Sequence, residues 1–142
     1  MAKITGKNGF VQLGSVKIAE MTEWSISGSS METIKGGEAF GDTFVTKIAS
    51  GLSDPGQVTF KGNYDPSDDT GQRAIITTMK AGLGVTNLYL YANTSTFWRV
   101  ASGGEIMITK ADAVNLPRNG IGTIDFAGEV SDAEMEQIGV GT

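Results

Sequence analysis

The chain has 142 residues, carries 11 Lys and Arg against 16 Asp and Glu, and contains neither Cys nor His. This composition excludes disulfides, thiolate or imidazole metal sites, and every nucleophilic mechanism that needs a Cys or a His base. The net charge of −5 disfavours binding to nucleic acid phosphates. No apolar window reaches the ~18 residues of a membrane span, and the N-terminal residues lack the apolar core of a signal peptide, so we expect a soluble chain without Sec-dependent export.

The 20 glycines and several turn dipeptides divide the chain into short alternating segments. This pattern is typical of antiparallel β proteins, and the length suits one hydrophobic core. We therefore predict a single, mostly β domain over residues 1–142, an antiparallel β-sandwich or barrel with one short flanking α-helix. The predicted strands are 2–6, 10–13, 16–29 (one bent strand or two), 57–64, 87–92, 97–101, 105–110 and 121–130, with a hairpin through Ser102, Gly103 and Gly104 joining 97–101 to 105–110.

The helix is predicted directly after an acidic turn. Two carboxylates that follow Pro66, Asp68 and Asp69, can cap a first helical turn, and apolar residues then recur at helical spacing as far as Lys80. A calcium loop is the alternative, but acids at the first, fourth and fifth places from Asp65 lack the ligand spacing and terminal Glu of an EF-hand. Capping is therefore the preferred interpretation of Asp68 and Asp69.

A long segment broken by glycines, residues 30–56, separates two predicted strands. A connection of this length is either disordered or functional, and its apolar content argues against disorder. It is either an extra hairpin folded over the domain's own core or an arm that docks on a neighbouring copy. The residues of this proposed inter-subunit arm are Ile34, Phe40, Phe44, Val45 and Ile48. At the other end of the chain, residues 131–142 are predicted to form a C-terminal tail.

The order of these features resembles the tail tube proteins, also called major tail proteins, of long-tailed bacteriophages. A long loop precedes a strand that ends at Tyr64, and an acidic turn with a Gly-Gln pair then opens the single helix. The resemblance covers most of the chain. The residues that carry it are Asp65, Asp68, Asp69, Gly71 and Gln72.

The resemblance implies a structural virion protein with no enzymatic activity and no cofactor. It implies hexameric rings, stacked into a tube that delivers the genome, and hence a place in the tail of a virion made in the host cytoplasm. Pairing between copies around such a ring would remove the exposed sheet edges of a small β domain. The implied partners are further copies of the chain, the tail terminator, the tape measure and distal tail proteins, and double-stranded DNA that passes without tight binding, with no membrane.

A strand that lines such a channel must be polar on the channel side and apolar on the core side. Three runs alternate in this way, although any solvent-facing strand would alternate too. The carboxylates would repel DNA phosphates, and the charge of Lys61 could be paired by Asp125 or Glu129 on a neighbouring strand. The proposed lumen-facing residues are Glu23, Ser25, Ser27, Gln57, Thr59, Lys61, Thr123, Asp125 and Glu129.

Other functions fit parts of the same pattern. A capsid decoration protein would also be small, acidic and β-rich, and a tube protein of a contractile injection machine would share the ring architecture. A carbohydrate-binding β-sandwich would use exposed aromatic residues such as Tyr89, Tyr91 and Trp98, although core packing is the simpler explanation for them. An enzyme could use Asp68 and Asp69 as acid and base, but their position at a helix start already explains them.

Overall fold

The computed structural model describes residues 9–35 and 47–139. The predicted mostly β, antiparallel fold with one short helix is confirmed. No helix in these two ranges is long and apolar enough to cross a membrane. In chain order the elements are β1 (Phe10–Leu13), β2 (Val16–Lys17), β3 (Met21–Ile26), β4 (Ser30–Lys35), β5 (Lys47–Asp54), β6 (Gln57–Asn63), α1 (Gln72–Lys80), β7 (Gly84–Val85), β8 (Leu88–Tyr91), β9 (Phe97–Val100), β10 (Glu105–Asn115), β11 (Thr123–Ser131) and β12 (Met135–Ile138).

Two five-stranded antiparallel sheets make up most of the fold. The first sheet has the strand order β12-β9-β8-β1-β2, and the second has the order β3-β6-β11-β10-β7. Successive side chains of a strand point to opposite faces, so in β6 Val58 and Phe60 are buried whereas Gln57, Thr59 and Lys61 are exposed. The buried side chains of both sheets belong to one hydrophobic core, and the sheets therefore pack as two layers.

An aromatic row in the second sheet contributes much of the bulk of this core. Phe60 lies opposite Phe126 in the pairing of β6 with β11, and their rings stack with centroids 4.8 Å apart. On the other side of β6, Trp24 of β3 lies opposite Phe60. The helix adds Ile75, which is fully buried in the same core. Cross-strand aromatic pairs of this kind stabilise a sheet beyond the area that they bury.

The predicted hairpin between residues 97–101 and 105–110 is wrong. Ser102 to Gly104 do form a turn, in which the Gly104 N–H donates to the Ala101 carbonyl at 3.1 Å. The strands on either side of it nevertheless lie in different sheets, because β9 pairs with β8 and β12 whereas β10 pairs with β7 and β11. A glycine-rich turn indicates that the chain reverses, but it does not determine the partner of each strand.

Other segments differ from the prediction in their bounds. Residues 16–29 contain two strands, the second of the two predicted alternatives, but these strands, β2 and β3, end at Ile26, and Glu20 between them has a positive φ of 61°. β10 continues past the predicted end at Lys110 as far as Asn115, through two register shifts. The segment 131–142, predicted as a tail, contains β12, which pairs with β9. The predicted strand at residues 2–6 lies outside the described residues.

The segment 30–56 contains a β-hairpin. β4 and β5 pair with each other to form a two-stranded sheet, in which Ile34 lies opposite Ile48. In the ranges 9–35 and 47–139, neither strand of this hairpin pairs with a strand of the five-stranded sheets. Phe40, Phe44 and Val45, which the sequence places between these two strands, lie outside the described residues.

Candidate functional site

The polar residues predicted on three separate strands lie together on one face of the second sheet. β3, β6 and β11 are adjacent there, and their registers align the residues in rows. Glu23, Lys61 and Asp125 form one row. In the next row Ser25 lies opposite Thr59, and their hydroxyl oxygens are 2.5 Å apart. We call this surface the polar face; it comprises Glu23, Ser25, Ser27, Gln57, Thr59, Lys61, Thr123, Asp125, Glu129 and, from β10, Lys110.

Charges of both signs alternate on the polar face. The Lys61 Nζ lies 3.3 Å from the Glu23 Oε1, with 53% and 64% of the two side chains exposed, so this pair contributes only about 0–1 kcal/mol to folding. The sequence predicted that Asp125 or Glu129 would pair with Lys61, but Lys61 forms its ion pair with Glu23 instead. Asp125 does lie opposite Lys61 in the register of β6 and β11. Glu129 lies opposite Gln57 instead and accepts a hydrogen bond from its Nε2 at 3.4 Å.

Lys110 also belongs to this face, although the sequence pattern did not predict it. Lys110 lies opposite Ala127 and diagonal to Asp125. Together with Glu23, Lys61 and Asp125 it lines a shallow groove of about 150 Å³. β10 changes register on both sides of Lys110, so the two-residue periodicity that revealed the other strands is broken there. The polar face is thus mixed in charge, with Lys61 and Lys110 among the acids Glu23, Asp125 and Glu129.

The acidic turn joins the helix to the sheets. α1 begins at Gln72, later than predicted, and Gly71 occupies the N-cap position. The Asp68 Oδ2 accepts hydrogen bonds from the N–H of Gln72 at 3.1 Å and from the N–H of Ala19 at 3.0 Å. A Cβ on Gly71 would collide with this carboxylate, which explains why a glycine stands there. Asp68 therefore satisfies the first helical N–H, as a cap would, from three residues before the N-cap.

The other two acids of the turn have local roles. The Asp65 Oδ1 accepts hydrogen bonds from the hydroxyl of Ser67 at 2.6 Å and from its N–H at 3.0 Å, and these bonds lower the pKa of Asp65. Asp69 does not cap the helix but forms an exposed ion pair with Arg73 at 2.7 Å. Within the described ranges no group of three or more acids is arranged to hold a metal ion. Hydrogen bonds and one ion pair thus account for the acids of this turn.

Gln72 ties three segments of the chain together. Its side chain is only 2% exposed, its Nε2 donates to the carbonyls of Ala19 at 3.0 Å and Asn63 at 2.9 Å, and its Oε1 accepts from the N–H of Asp65 at 3.0 Å. The amide therefore links the helix to the end of β6 and to the turn before β3. The Gly-Gln pair, which belongs to the motif that resembles tail tube proteins, therefore has a structural role in this chain.

The aromatic residues considered for carbohydrate binding do not share a face. Tyr89 and Tyr91 alternate with buried leucines in β8 and lie on the side of the first sheet away from the core. There Tyr91 stacks on Phe10 with centroids 4.3 Å apart, and Tyr89 meets Phe97 edge-on at 5.4 Å. Trp98 lies on the opposite side, half-buried against the core. A stacking platform for sugars cannot be built from these three residues together.

Comparison with known proteins finds similarity in structure alone. No family model and no curated protein sequence matches the chain. A chain of the sheath/tube terminator of the PVC extracellular contractile injection system, in its extended state, matches with a TM-score of 0.70 and 16% identity, covering 96% of this chain and 98% of that one. A chain of the native gene transfer agent virion matches with a TM-score of 0.67 and 15% identity, covering 95% and 99%.

A third match is a chain from the tail of the empty gene transfer agent particle, determined by helical refinement with C6 symmetry. Its TM-score is 0.58 and its identity 14%, covering 95% of this chain and 98% of that one. The matches span nearly the whole of both chains. The chain therefore has the fold of subunits found in tail and injection particles, as its resemblance to tail tube proteins implied.

Proposed function

We propose that this chain assembles with itself into hexameric rings, and that the rings stack into a tail tube through which a genome passes to the host. The observation that carries the proposal is the polar face, which lies on the side of the second sheet away from the core and is flanked by strand edges that pair with no other strand among the described residues. The solved structures of the same fold belong to a gene transfer agent virion, its tail, and a contractile injection system. Similarity to these structures favours a tube subunit with a structural role over a capsid decoration protein, a sugar-binding module or an enzyme.

The open edges of the second sheet are suited to pairing between copies. β3 pairs with β6 on one side, and β10 pairs with β7 only through Ile106 and Met107. Among the described residues, no strand pairs with the other side of β3, or with β10 after Met107 on the side away from β11. Such edges carry unpaired N–H and C=O groups, and head-to-tail pairing around a closed ring satisfies them.

The two-layer packing favours the polar face as the inner surface of a ring. The buried face of the second sheet packs against the first sheet and the helix, so the polar face is its free surface. When copies of the second sheet join into a barrel, the additional layer fits at the larger radius and the polar face lines the interior. We take the count of six from the C6 symmetry of the tail structure that shares the fold.

The chemistry of the polar face suits passage of DNA without tight binding. Each lysine on it has an acid close by, since Lys61 pairs with Glu23 and Lys110 lies diagonal to Asp125. Phosphates passing along such a wall meet few cations that lack a counter-charge. The serine, threonine and glutamine side chains between the charges keep the wall hydrated.

Exposed apolar residues at one end of the second sheet provide contacts between rings. The loop between β10 and β11 carries Leu116 and Ile121, which are 68% and 71% exposed. Strand ends in a barrel point toward its neighbours along the axis, so this loop meets the next ring. We further propose that the β4–β5 hairpin is the inter-subunit arm, and that the terminator, tape measure and distal tail proteins contact the tube at its ends and inside it.

The experiment that tests this proposal is electron microscopy and sedimentation of the purified chain over a wide range of protein concentration and ionic strength. We expect rings about one subunit high and tubes made by stacking them. Particles that stay monomeric under all conditions, with tail components present to nucleate assembly, would overturn the proposal.

A further inference from the structure

A row of four charges crosses the polar face from the outer edge of β3 to β10. It begins at β3 with Glu23, continues through Lys61 in β6 and Asp125 in β11, and ends at β10 with Lys110. The first three lie directly opposite one another, and Lys110 lies diagonal to Asp125. Diagonal neighbours are within reach of a long side chain. The signs therefore alternate along the whole row.

The two ends of the row carry opposite charges, at the two edges along which no other described strand pairs. Glu23, with 64% of its side chain exposed, has Lys61 on one side and the free edge of β3 on the other. Lys110 is also exposed, beyond the last residue at which β10 pairs with β7. Between copies arranged head to tail, a negative edge thus meets a positive edge.

We infer that Lys110 of each copy pairs with Glu23 of the next copy, and that this pair sets the register in which the sheet edges join. The inference rests on the proposed assembly and adds to it the contact that specifies alignment. With the pair formed, Glu23 has a lysine on each side and Lys110 an acid on each side. Four charges per copy then continue around the ring in strict alternation.

Sheet edges need a device of this kind because their backbone hydrogen bonds do not select a register. A slip of two residues keeps every side chain on its own face and re-forms the same type of ladder. Complementary charges raise the free energy of slipped alignments, because slipping brings like charges together or leaves a charge unpaired. The nearest competing acid on β10, Asp112, lies 3.8 Å from Lys80 of α1 and so has its own counter-charge.

The test uses two variants that each reverse one charge, Glu23→Lys and Lys110→Glu. Each variant is assembled alone, and the two are then assembled as a mixture. In the first variant every junction brings two lysines together, and in the second it brings two acids together. Each variant alone should need a protein concentration about tenfold higher or more for assembly than the wild type. In an equimolar mixture, copies of the two variants that alternate around a ring place opposite charges at every junction. A ring of six has an even number of places, so the mixture should assemble near the wild-type concentration.

A matched control is Glu129→Lys, which makes the same charge change on the polar face but in β11, away from either edge. It should assemble like the wild type, and circular dichroism should show all three variants folded as monomers. The defects of the two edge variants should shrink as salt approaches 1 M, where the screening length is about 3 Å.

The outcomes separate this inference from the proposed function. If the wild type forms tubes and the two edge variants assemble as readily as it does, or fail both alone and mixed, the Glu23–Lys110 register is wrong and the tube proposal stands. If the wild type forms no assembly, both are overturned. Rescue on mixing, with neither variant competent alone, is the result we expect.

Discussion

At the scale of single residues, Gln72 shows how one buried amide can hold several elements together. Its three hydrogen bonds satisfy backbone groups of Ala19, in the turn before β3, and of Asn63 and Asp65, at the end of β6 and just after it. Buried backbone groups that lose their partners cost more than the bond itself contributes. The sequence marked this position only as the second residue of a Gly-Gln pair, because periodicity reports burial but not what a polar side chain will bond.

We predict that Gln72→Ala lowers the free energy of unfolding by about 2–3 kcal/mol, since it leaves three backbone groups without a partner. The matched control is the adjacent Arg73→Ala, which removes an ion pair with Asp69, whose side chains are 63% and 68% exposed, and an exposed hydrogen bond to the Pro66 carbonyl at 3.2 Å. That control should change stability by no more than about 1 kcal/mol. Urea unfolding of the two variants gives the comparison. Equal unfolding midpoints would show that the hydrogen bonds of the Gln72 amide do not stabilise the fold.

At the scale of elements, strict alternation made some strands predictable. β6 and β11 were predicted within one or two residues, because buried and exposed positions alternate along their whole length. β10 was cut short because its register shifts destroy the pattern after Ile108, and Lys110 was missed for the same reason. One of the two partners of β9, the strand β12, could not be predicted from local sequence, since it lies more than 30 residues further along the chain.

Close approach of two strands explains a glycine in β6. Gly62 is buried, and a Cβ on it would collide with the backbone of Glu20 and Met21, where the chain turns into β3. We predict that Gly62→Ala costs about 1–3 kcal/mol, because β3 would have to move away from β6. The control is Gln57→Ala, an exposed position in the same strand. Thermal unfolding of both variants checks this, and a Gly62→Ala protein as stable as the control would contradict it.

The β4–β5 hairpin should depend on assembly for its protection. Its strands pair only with each other among the described residues, and a lone two-stranded sheet is at best marginally stable in water. We expect its backbone amides to exchange rapidly in the monomer and slowly in the tube, whereas those of β6 and β11 exchange slowly in both. Hydrogen-exchange mass spectrometry measures this directly. Equal protection of the hairpin in monomer and tube would mean that it is not an inter-subunit arm.

At the scale of the whole molecule, function depends on a surface that no single segment defines. Alternation along the sequence predicts nine residues of the polar face on three strands, but it does not predict that β3, β6 and β11 are neighbours. It also could not show that Lys61 would pair with Glu23, because strand order is a property of the folded chain. Alternation predicts which side chains are exposed, and topology decides which of them meet.

Charge on the polar face should control how fast DNA moves through a tube. We predict that the double variant Asp125→Lys and Glu129→Lys leaves monomer stability within about 1 kcal/mol of the wild type. It should nevertheless slow genome release, most strongly at low salt, because lysines that contact phosphates make binding salt-dependent. The control Asp69→Lys with Glu134→Lys makes the same charge change at exposed positions off the polar face. Release rates measured at several ionic strengths would contradict the prediction if the two double variants behaved alike.

The measurement that tests the central claim most directly is a helical reconstruction, by cryo-electron microscopy, of tubes formed by the purified chain. The account predicts six copies per ring, an inner wall made of β3, β6, β11 and β10 from every copy, and Thr59 and Asp125 facing the channel. The first sheet should form an outer layer. An inner wall built from the first sheet, or a polar face buried between subunits, would contradict the account.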